Sequence, residues 1–172
     1  MLRAGREPGE RLVIGDQAAS RAALVRNGSE GHAMRIYELN RSQIVHRDRR
    51  DVFAFFANAE NLEMMTPPWL QFRITSPRPV RMQAGTRINY VLRLHGIALD
   101  WTSEITVWDP PFLFVDTQIR GPYRAWVHEH RFEPVPGGTR VIDRIRYAVP
   151  GGPLVHRFLV APDLERVFEY RR

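Results

Sequence analysis

The stretch GPYRAWVHEHRFEPVPGGTRVIDRIRYAVPGG, residues 121–152, decides the fold. Large side chains recur at every second residue on both sides of a loop, residues 134–138, that contains two prolines and two glycines. This pattern predicts a β-hairpin in which one face of each strand is buried. The expected register pairs three positions across the hairpin: Phe132 with Val141, His130 with Asp143, and Trp126 with Tyr147.

Further strand patterns lie on the N-terminal side of this hairpin. Alternation of apolar and polar residues predicts strands over residues 35–46, 69–76, 88–94, 99–107 and 112–119. Between the first two, Asp48 is placed to cap a helix that runs to about Ala57, and Asn58 is placed to cap a second short helix. The Thr-Pro-Pro sequence at 66–68 ends that helix, because proline cannot continue the backbone hydrogen bonding.

A long amphipathic helix is predicted after the hairpin, from Leu154 to Arg172. Apolar side chains keep helical spacing along it: Leu154, Phe158, Ala161, Leu164 and Phe168. Pro162 should kink this helix or divide it in two. The element order predicts an α+β domain with its helices gathered on one face of a curved antiparallel sheet. A helix laid across a concave sheet leaves a space in which a small molecule can bind.

Composition indicates one globular domain. The 172 residues are 44% hydrophobic and 26% charged, which is close to globular averages. Cysteine is absent, which excludes disulfides and thiolate metal ligands and is consistent with a reducing cytosol. The sequence has no apolar run long enough to span a bilayer, and its N-terminal region lacks the apolar core of a signal peptide. We therefore expect a cytoplasmic protein with no transmembrane segment.

The positive charge does not indicate a nucleic-acid partner. The net charge is +6, and all 25 cationic Lys or Arg side chains are arginine. These charges are dispersed, since Arg47, Arg49 and Arg50 alternate with Asp48 and Asp51. A nucleic-acid-binding protein usually clusters its basic residues on one face.

Residues 1–33 differ from the rest of the chain. They include five glycines and no aromatic residue, so we expect an extension that is disordered or partly helical, with a short helix over residues 16–25. The folded domain is expected over residues 34–172. Met34, which opens the first strand pattern, is a candidate for the biological start of the protein.

Five pieces of the chain resemble, as an ordered set, a bacterial cyclase/dehydrase-like branch of the SRPBCC (START-like) superfamily. They are VFAFFANAENLEMMTPPWLQF (52–72), GIALDWTSEI (96–105), GPYRAWVHEHRF (121–132), GGTRVIDRIRYAVPGG (137–152) and VFEYRR (167–172). The resemblance covers residues 35–172. It implies a helix-grip fold, in which a curved antiparallel sheet wraps around a long C-terminal helix and two short helices follow the first strand.

The same resemblance implies a ligand class more than a reaction. Members of the superfamily bind lipids, sterols, polyketides, quinones or hormones, and some are aromatases or cyclases. Related domains also occur beside or fused to short-chain epimerase-like proteins, so such a protein partner is implied. The resemblance implies no cofactor.

His130 and Asp143 are the candidate catalytic residues. An inward-facing aspartate on an apolar strand needs a partner, and a histidine across the hairpin would provide one. The pair is either purely structural or an acid and base for a cyclisation, since a carboxylate-oriented imidazole moves protons near neutral pH. His128 and His130 also share one face, and with Asp143 they would give three ligands, but we expect no metal.

Inward-facing side chains of the strands and the last helix are the candidate ligand-binding residues. They are Trp69, Phe72, Tyr90, Leu92, Trp101, Trp126, His128, Tyr147 and Phe158. Tyr90 and Tyr147 are the preferred polar contacts for a ligand, because a phenol combines an apolar ring with a hydroxyl group. Arg120 and Arg124, at a strand end, would either hold an anionic head group or lie in solvent.

Three functions remain open at this level. The favoured one is a carrier or binder of a hydrophobic small molecule, such as a lipid, quinone or polyketide, without catalysis. The second is a polyketide cyclase or dehydratase that uses His130 and Asp143. The third is a protein-interaction module whose surface includes the basic C-terminal residues Arg166, Arg171 and Arg172.

Overall fold

The computed structural model describes residues 21–25 and 34–171, and a single antiparallel sheet dominates it. The sheet has eight strands in the order β1-β2-β8-β7-β6-β5-β4-β3. The strands are β1 (Arg21–Val25), β2 (Met34–Val45), β3 (Arg73–Ile74), β4 (Arg87–Leu94), β5 (Ile97–Asp109), β6 (Leu113–Arg120), β7 (Ala125–Val135) and β8 (Gly138–Ala148).

Two short helices follow β2, and a longer helical segment ends the domain. The former are α1 (Arg49–Phe56) and α2 (Asn61–Met65). The latter consists of α3 (Gly152–Val155), a π-helical turn (His156–Val160) and α4 (Ala161–Tyr170). Asp48 caps α1 as predicted, because its carboxylate accepts a hydrogen bond of 2.8 Å from the backbone N–H of Arg50. No helix in the described part of the chain is long and apolar enough to cross a membrane.

The hairpin β7–β8 has the predicted register. Phe132 lies opposite Val141, His130 opposite Asp143, and Trp126 opposite Tyr147. Pairing continues to Val135 and Gly138, so the connection is a tight turn without a bulge. A Cβ atom built on Gly138 would overlap the carbonyl oxygen of Val45, which shows how closely the backbone of β2 approaches this turn.

Strand β5 carries two register irregularities, between Thr102 and Ser103 and between Ile105 and Val107. Such bulges bend a strand and change which face a side chain occupies. Ile105 is buried. Val107, which simple alternation places on the same face, is 42% exposed because the second irregularity lies between the two residues. The bends contribute to the curvature of the sheet.

The helices cover the concave face of the sheet at two places. Val52 and Phe53 of α1 pack into an apolar cluster with Phe114, Phe132 and Val141. Leu164 and Phe168 of α4 pack into a second cluster, formed with the following sheet residues: Tyr37, Leu39, Trp101, Trp126, Ile145, Tyr147 and Val149. This arrangement confirms the expected helix-grip fold and leaves an unfilled space between the two clusters.

Two segments differ from the sequence-based expectation. Arg21–Val25, expected to be helical, is a strand whose backbone pairs with the edge of β2. Residues 16–20 lie outside the described residues. Of the strand predicted over residues 69–76, only Arg73–Ile74 is formed. Pro68–Leu70 is instead a 3₁₀ turn followed by Gln71 at φ +43°, a left-handed conformation that cannot belong to a regular strand.

The C-terminal helix is divided, as Pro162 led us to expect, but by a π-helical turn that simple helical spacing does not predict. A π turn contains an extra residue, so side chains before it are rotated relative to those after it. Leu164 and Phe168 therefore face the sheet, whereas Leu154 and Phe158 are 70% and 64% exposed.

The tight turn before β8 yields a stability prediction. Gly138→Ala should lower the free energy of unfolding by about 3 kcal/mol, because the added methyl group meets backbone atoms that cannot move aside. Gly96→Ala is the matched control: its Cβ meets no atom within 4 Å, so only the positive φ of +83° opposes it, at about 1 kcal/mol. Urea denaturation measures both variants, and equal losses would contradict the close approach of β2.

Candidate functional site

The space between sheet and helices is a cavity of about 180 Å³. Strands β4, β5, β6 and β7 form its floor, and α1, α2 and α4 form its cover. Its walls are mostly apolar, with Leu92, Leu99 and Ile88 from the sheet and Leu62 and Val167 from the helices. The cavity is therefore suited to an apolar molecule.

Aromatic rings form much of one wall. Phe72 contacts Tyr90 with ring centroids 4.8 Å apart, and Tyr90 stacks on Trp101 at 5.8 Å. Trp126 meets Trp101 edge-on at 5.3 Å, and Tyr123 packs against both indoles. These rings are held by one another, so the wall is in place without a ligand.

Six of the nine predicted ligand-binding residues line this cavity: Phe72, Tyr90, Leu92, Trp101, Trp126 and His128. The other three, Trp69, Tyr147 and Phe158, do not. Trp69 is 48% exposed and packs against Tyr170, because Pro68–Leu70 is a turn rather than a strand. Phe158 is turned outward by the π-helical turn.

Tyr147 is buried, but beside the cavity and not on its wall. Its hydroxyl lies 3.0 Å from Nε2 of His156, and its ring packs against Tyr37. Of the two preferred polar contacts, only Tyr90 is therefore placed to meet a ligand. Arg120 and Arg124 are exposed and do not line the cavity, which agrees with the alternative that they lie in solvent.

A chain of polar groups begins at the aromatic wall. Ser103 Oγ lies 3.1 Å from the Tyr90 hydroxyl and accepts a hydrogen bond of 3.0 Å from the Trp101 indole N–H. The Ser103 hydroxyl donates in turn to Asp116 Oδ1 at 3.3 Å. Asp116 Oδ2 lies 3.1 Å from Nε2 of His130. The chain thus connects the apolar part of the cavity to the histidine pair of β7.

His128 and His130 form a compact cluster with two carboxylates, Asp116 at one end and Asp143 at the other. The two imidazole rings pack against each other, with their centroids 3.8 Å apart. Asp116 Oδ2 lies 3.6 Å from His128 Nδ1, in addition to its bond with His130. Asp143 Oδ1 lies 3.0 Å from His128 Nε2 and 2.9 Å from His130 Nδ1. Asp116 and both histidines line the cavity, whereas Asp143 is behind them.

The contacts of Asp143 differ from the simple pair predicted. Asp143 lies directly opposite His130 in the register, but its hydrogen bond is with His128. His130 Nδ1 is close to Asp143 but does not point at it, and this nitrogen has no hydrogen-bond partner among the described residues. Asp116 is the residue that hydrogen-bonds to His130.

Burial and the neighbouring charges set the protonation of the cluster. Burial disfavours the cationic form of His130, but the carboxylates of Asp116 and Asp143 outweigh burial and raise its pKa to about 9. Burial, together with the charge of His130, lowers the pKa of His128. Burial opposes ionisation of Asp116 and Asp143, yet the two histidines hold the pKa of each carboxyl below its usual range. At neutral pH His130 is therefore cationic, His128 is neutral and both carboxylates are ionised.

The cavity residues that the sequence did not assign to the site include three polar ones: Ser103, Asp116 and Arg171. Asp116 was detectable in principle, since it lies two residues after the inward-facing Phe114 on an alternating strand. Arg171, expected on an exposed basic surface, instead lines the cavity, and its charge interacts with Asp143 and Asp116. Arg172 lies outside the described residues.

Chemically, the arrangement places ionised groups beside an apolar wall inside one cavity. The Tyr90 hydroxyl stays protonated, because burial and the nearby Asp116 raise its pKa well above the usual value. Because the Ser103 hydroxyl donates to Asp116, the Tyr90 O–H donates to Ser103, and the Tyr90 oxygen can accept a hydrogen bond from a ligand hydroxyl group. Arg171 can interact with an anionic or carbonyl oxygen.

The buried cluster yields a second stability prediction. Asp143→Ala should lower the free energy of unfolding by about 3–5 kcal/mol, because it removes the partner of a buried cationic imidazole. Glu129→Ala is the control, since Glu129 lies on the neighbouring strand β7 and pairs with the partly exposed Arg131, where we expect a loss below about 1 kcal/mol. Chemical denaturation measures both, and a loss for Asp143→Ala no larger than that of the control contradicts the charge assignment.

Structural comparison places this fold among known proteins. The Zhui aromatase/cyclase from Streptomyces sp. R1128 is 15% identical, with 78% of this chain and 88% of that chain covered and a TM-score of 0.63. The protein TTHA0849 from Thermus thermophilus is 17% identical, with 78% and 88% covered and a TM-score of 0.57. Ginseng major latex-like protein 151 from Panax ginseng is 13% identical, with 80% and 99% covered and a TM-score of 0.53. At these identities the likeness concerns the fold alone.

Sequence comparison identifies the family. No curated protein matches this chain significantly. The family model described as polyketide cyclase / dehydrase and lipid transport matches residues 45–170, which include both helix groups and nearly all of the cavity wall. The chain therefore belongs to the polyketide cyclase/dehydrase and lipid transport family, within the SRPBCC superfamily.

Proposed function

We propose that this protein binds and carries a hydrophobic small molecule in the cavity between sheet and C-terminal helix. The observation that carries the proposal is the combination of an aromatic wall with a polar cluster inside one cavity. An apolar body would contact Phe72, Leu92 and Trp126. An oxygen of the same molecule would lie toward Tyr90 and Arg171.

The cavity volume limits the ligand. An apolar cavity of about 150 Å³ is enough for benzene, whereas pockets for drug-sized ligands span roughly 300–1,000 Å³. A cavity of about 180 Å³ therefore takes a molecule of one or two rings with little rearrangement. Among the candidate classes, this size supports a quinone or an aromatic polyketide more readily than a long-chain lipid, which would require side chains to move.

Binding of an apolar fluorescent probe tests the proposal. Phe72→Ala should weaken binding of the two-ring fluorescent probe 1-aminonaphthalene about tenfold, because loss of one buried ring contact corresponds to roughly 1.4 kcal/mol or more. Phe158→Ala is the matched control, since Phe158 is exposed and away from the cavity. We expect it to bind the probe as the unmodified protein does.

A second variant tests whether Phe72→Ala weakens probe binding only because it disturbs packing in the core. Leu92→Trp adds volume to the cavity wall, so it should reduce probe binding without leaving a void in the core. Probe affinity that is unchanged in both Phe72→Ala and Leu92→Trp would contradict binding in this cavity.

A cyclase or dehydratase is the second candidate function. It is favoured by the position of Asp116, His128 and His130 on the cavity wall, where they would meet a carbonyl group of a bound poly-β-keto chain. The sequence placed the acid and base on His130 and Asp143. In this candidate site Asp116 takes the place of Asp143, because the histidines separate Asp143 from the cavity.

Turnover separates the second candidate from the first. If the protein is a cyclase, it should convert a poly-β-keto thioester analogue to a cyclised, dehydrated product, and His130→Ala should abolish the conversion while His46→Ala, an exposed histidine, does not. Product is measured by liquid chromatography with mass spectrometry. Equal conversion by the unmodified protein and His130→Ala contradicts a catalytic role.

The cytoplasmic location and the epimerase-like protein partner stay predictions.

A further inference from the structure

From the geometry of the polar cluster we infer that Asp116, His128 and His130 form a binding site for a divalent transition-metal ion, such as Zn²⁺. This goes beyond the proposed function and differs from our expectation of no metal. The set considered from the sequence, His128, His130 and Asp143, differs from this one in its carboxylate. Asp116, from the neighbouring strand β6, supplies the missing ligand.

The donor atoms are already close to coordination distances. Asp116 Oδ2 lies 3.1 Å from His130 Nε2 and 3.6 Å from His128 Nδ1, and the three residues each offer a ligand atom within 4.8 Å of the others. Ligand atoms at about 2.0–2.1 Å from a tetrahedral metal are separated by roughly 3.3 Å. A cation can therefore enter between these atoms with small side-chain movements.

Asp143 occupies the position of an outer carboxylate. It contacts the nitrogen of each imidazole that faces away from the metal position: Nε2 of His128 at 3.0 Å and Nδ1 of His130 at 2.9 Å. Carboxylates behind metal-bound histidines orient the rings and raise their basicity. His130 is only 8% exposed, and its Nδ1 makes no hydrogen bond among the described residues.

The chemistry of the donor groups favours a divalent transition-metal ion. Asp116 and Asp143 lie on either side of the two imidazoles, with carboxylate oxygens 2.9 to 3.6 Å from the ring nitrogens. Two imidazoles and one carboxylate suit Zn²⁺, Fe²⁺ or Co²⁺ better than Mg²⁺ or Ca²⁺, which prefer all-oxygen ligands. Three protein ligands leave a coordination position open, and the ligands line the cavity. Contact between this open position and a bound molecule rests on the proposed function, whereas metal binding itself does not.

Titration of chelator-treated protein with Co²⁺ tests the site, because Co²⁺ bound by nitrogen and oxygen ligands absorbs visible light. We expect one Co²⁺ per chain, displaced by Zn²⁺. Asp116→Asn and His128→Gln should each weaken binding about 100-fold or more, and Asp143→Asn about tenfold, because it removes only an outer carboxylate. His95→Gln is the matched control, since His95 is exposed and outside the cluster.

Each outcome decides for or against the metal site. Stoichiometric binding that is retained in His95→Gln and graded in the cluster variants supports it. Absence of saturable binding, or equal binding by Asp116→Asn and the unmodified protein, overturns it. Near-ultraviolet circular dichroism confirms that the near-isosteric Asp116→Asn is folded. The same metal-free samples are tested with 1-aminonaphthalene, so failure of the metal proposal and failure of the carrier proposal are observed separately.

Discussion

The register of the β7–β8 hairpin is the constraint on which the site depends. Because side chains alternate between the faces of a strand, His128 and His130 both face the concave side only in this register. A slip by one residue would turn Trp126, His128, His130 and Phe132 outward together. The tight turn at Gly138, pressed against the backbone of β2, prevents such a slip. One loop geometry thus positions both the aromatic wall and the ionised cluster.

Burying the charged groups of this cluster is energetically unfavourable, so each of them needs a partner inside the protein. An isolated carboxylate in an apolar interior is strongly unfavourable, and its partners must compensate for the lost water. Here each carboxylate lies beside two imidazoles, and Arg171 supplies a further positive charge from the end of the last helix. A core made only of apolar side chains would avoid this desolvation penalty. The proposed function uses these groups, because Asp116 and the two histidines lie on the wall that a bound molecule would contact.

Patterns that depend on regular geometry were predictable from the sequence. The hairpin register, the Asp48 cap and the inward faces of β4 and β7 follow from regular alternation and local hydrogen bonding. The helix-grip fold followed from the order of elements and from the family resemblance. Six of the nine predicted ligand-binding residues were placed on the cavity wall for the same reasons.

Irregular geometry explains the rest. Phe158 was misplaced because a π turn rotates it away from the face of Leu164 and Phe168. Trp69 was misplaced because Gln71 adopts a left-handed conformation that ends the strand pattern. Asp116 was missed because its partners lie on another strand, and pairing between β6 and β7 is not visible in local spacing. Arg171 lies at the end of a helix whose direction depends on tertiary packing.

Occupation of the space between sheet and C-terminal helix by an apolar guest can be observed directly. Intermolecular nuclear Overhauser effects between bound naphthalene and the protein's methyl groups report which side chains the guest contacts. We predict contacts to Ile88, Leu92 and Val167, which line the cavity, and none to the exposed Ile97 and Leu154. Contacts confined to the exposed methyl groups, or no contacts at saturating naphthalene, would contradict binding in this cavity.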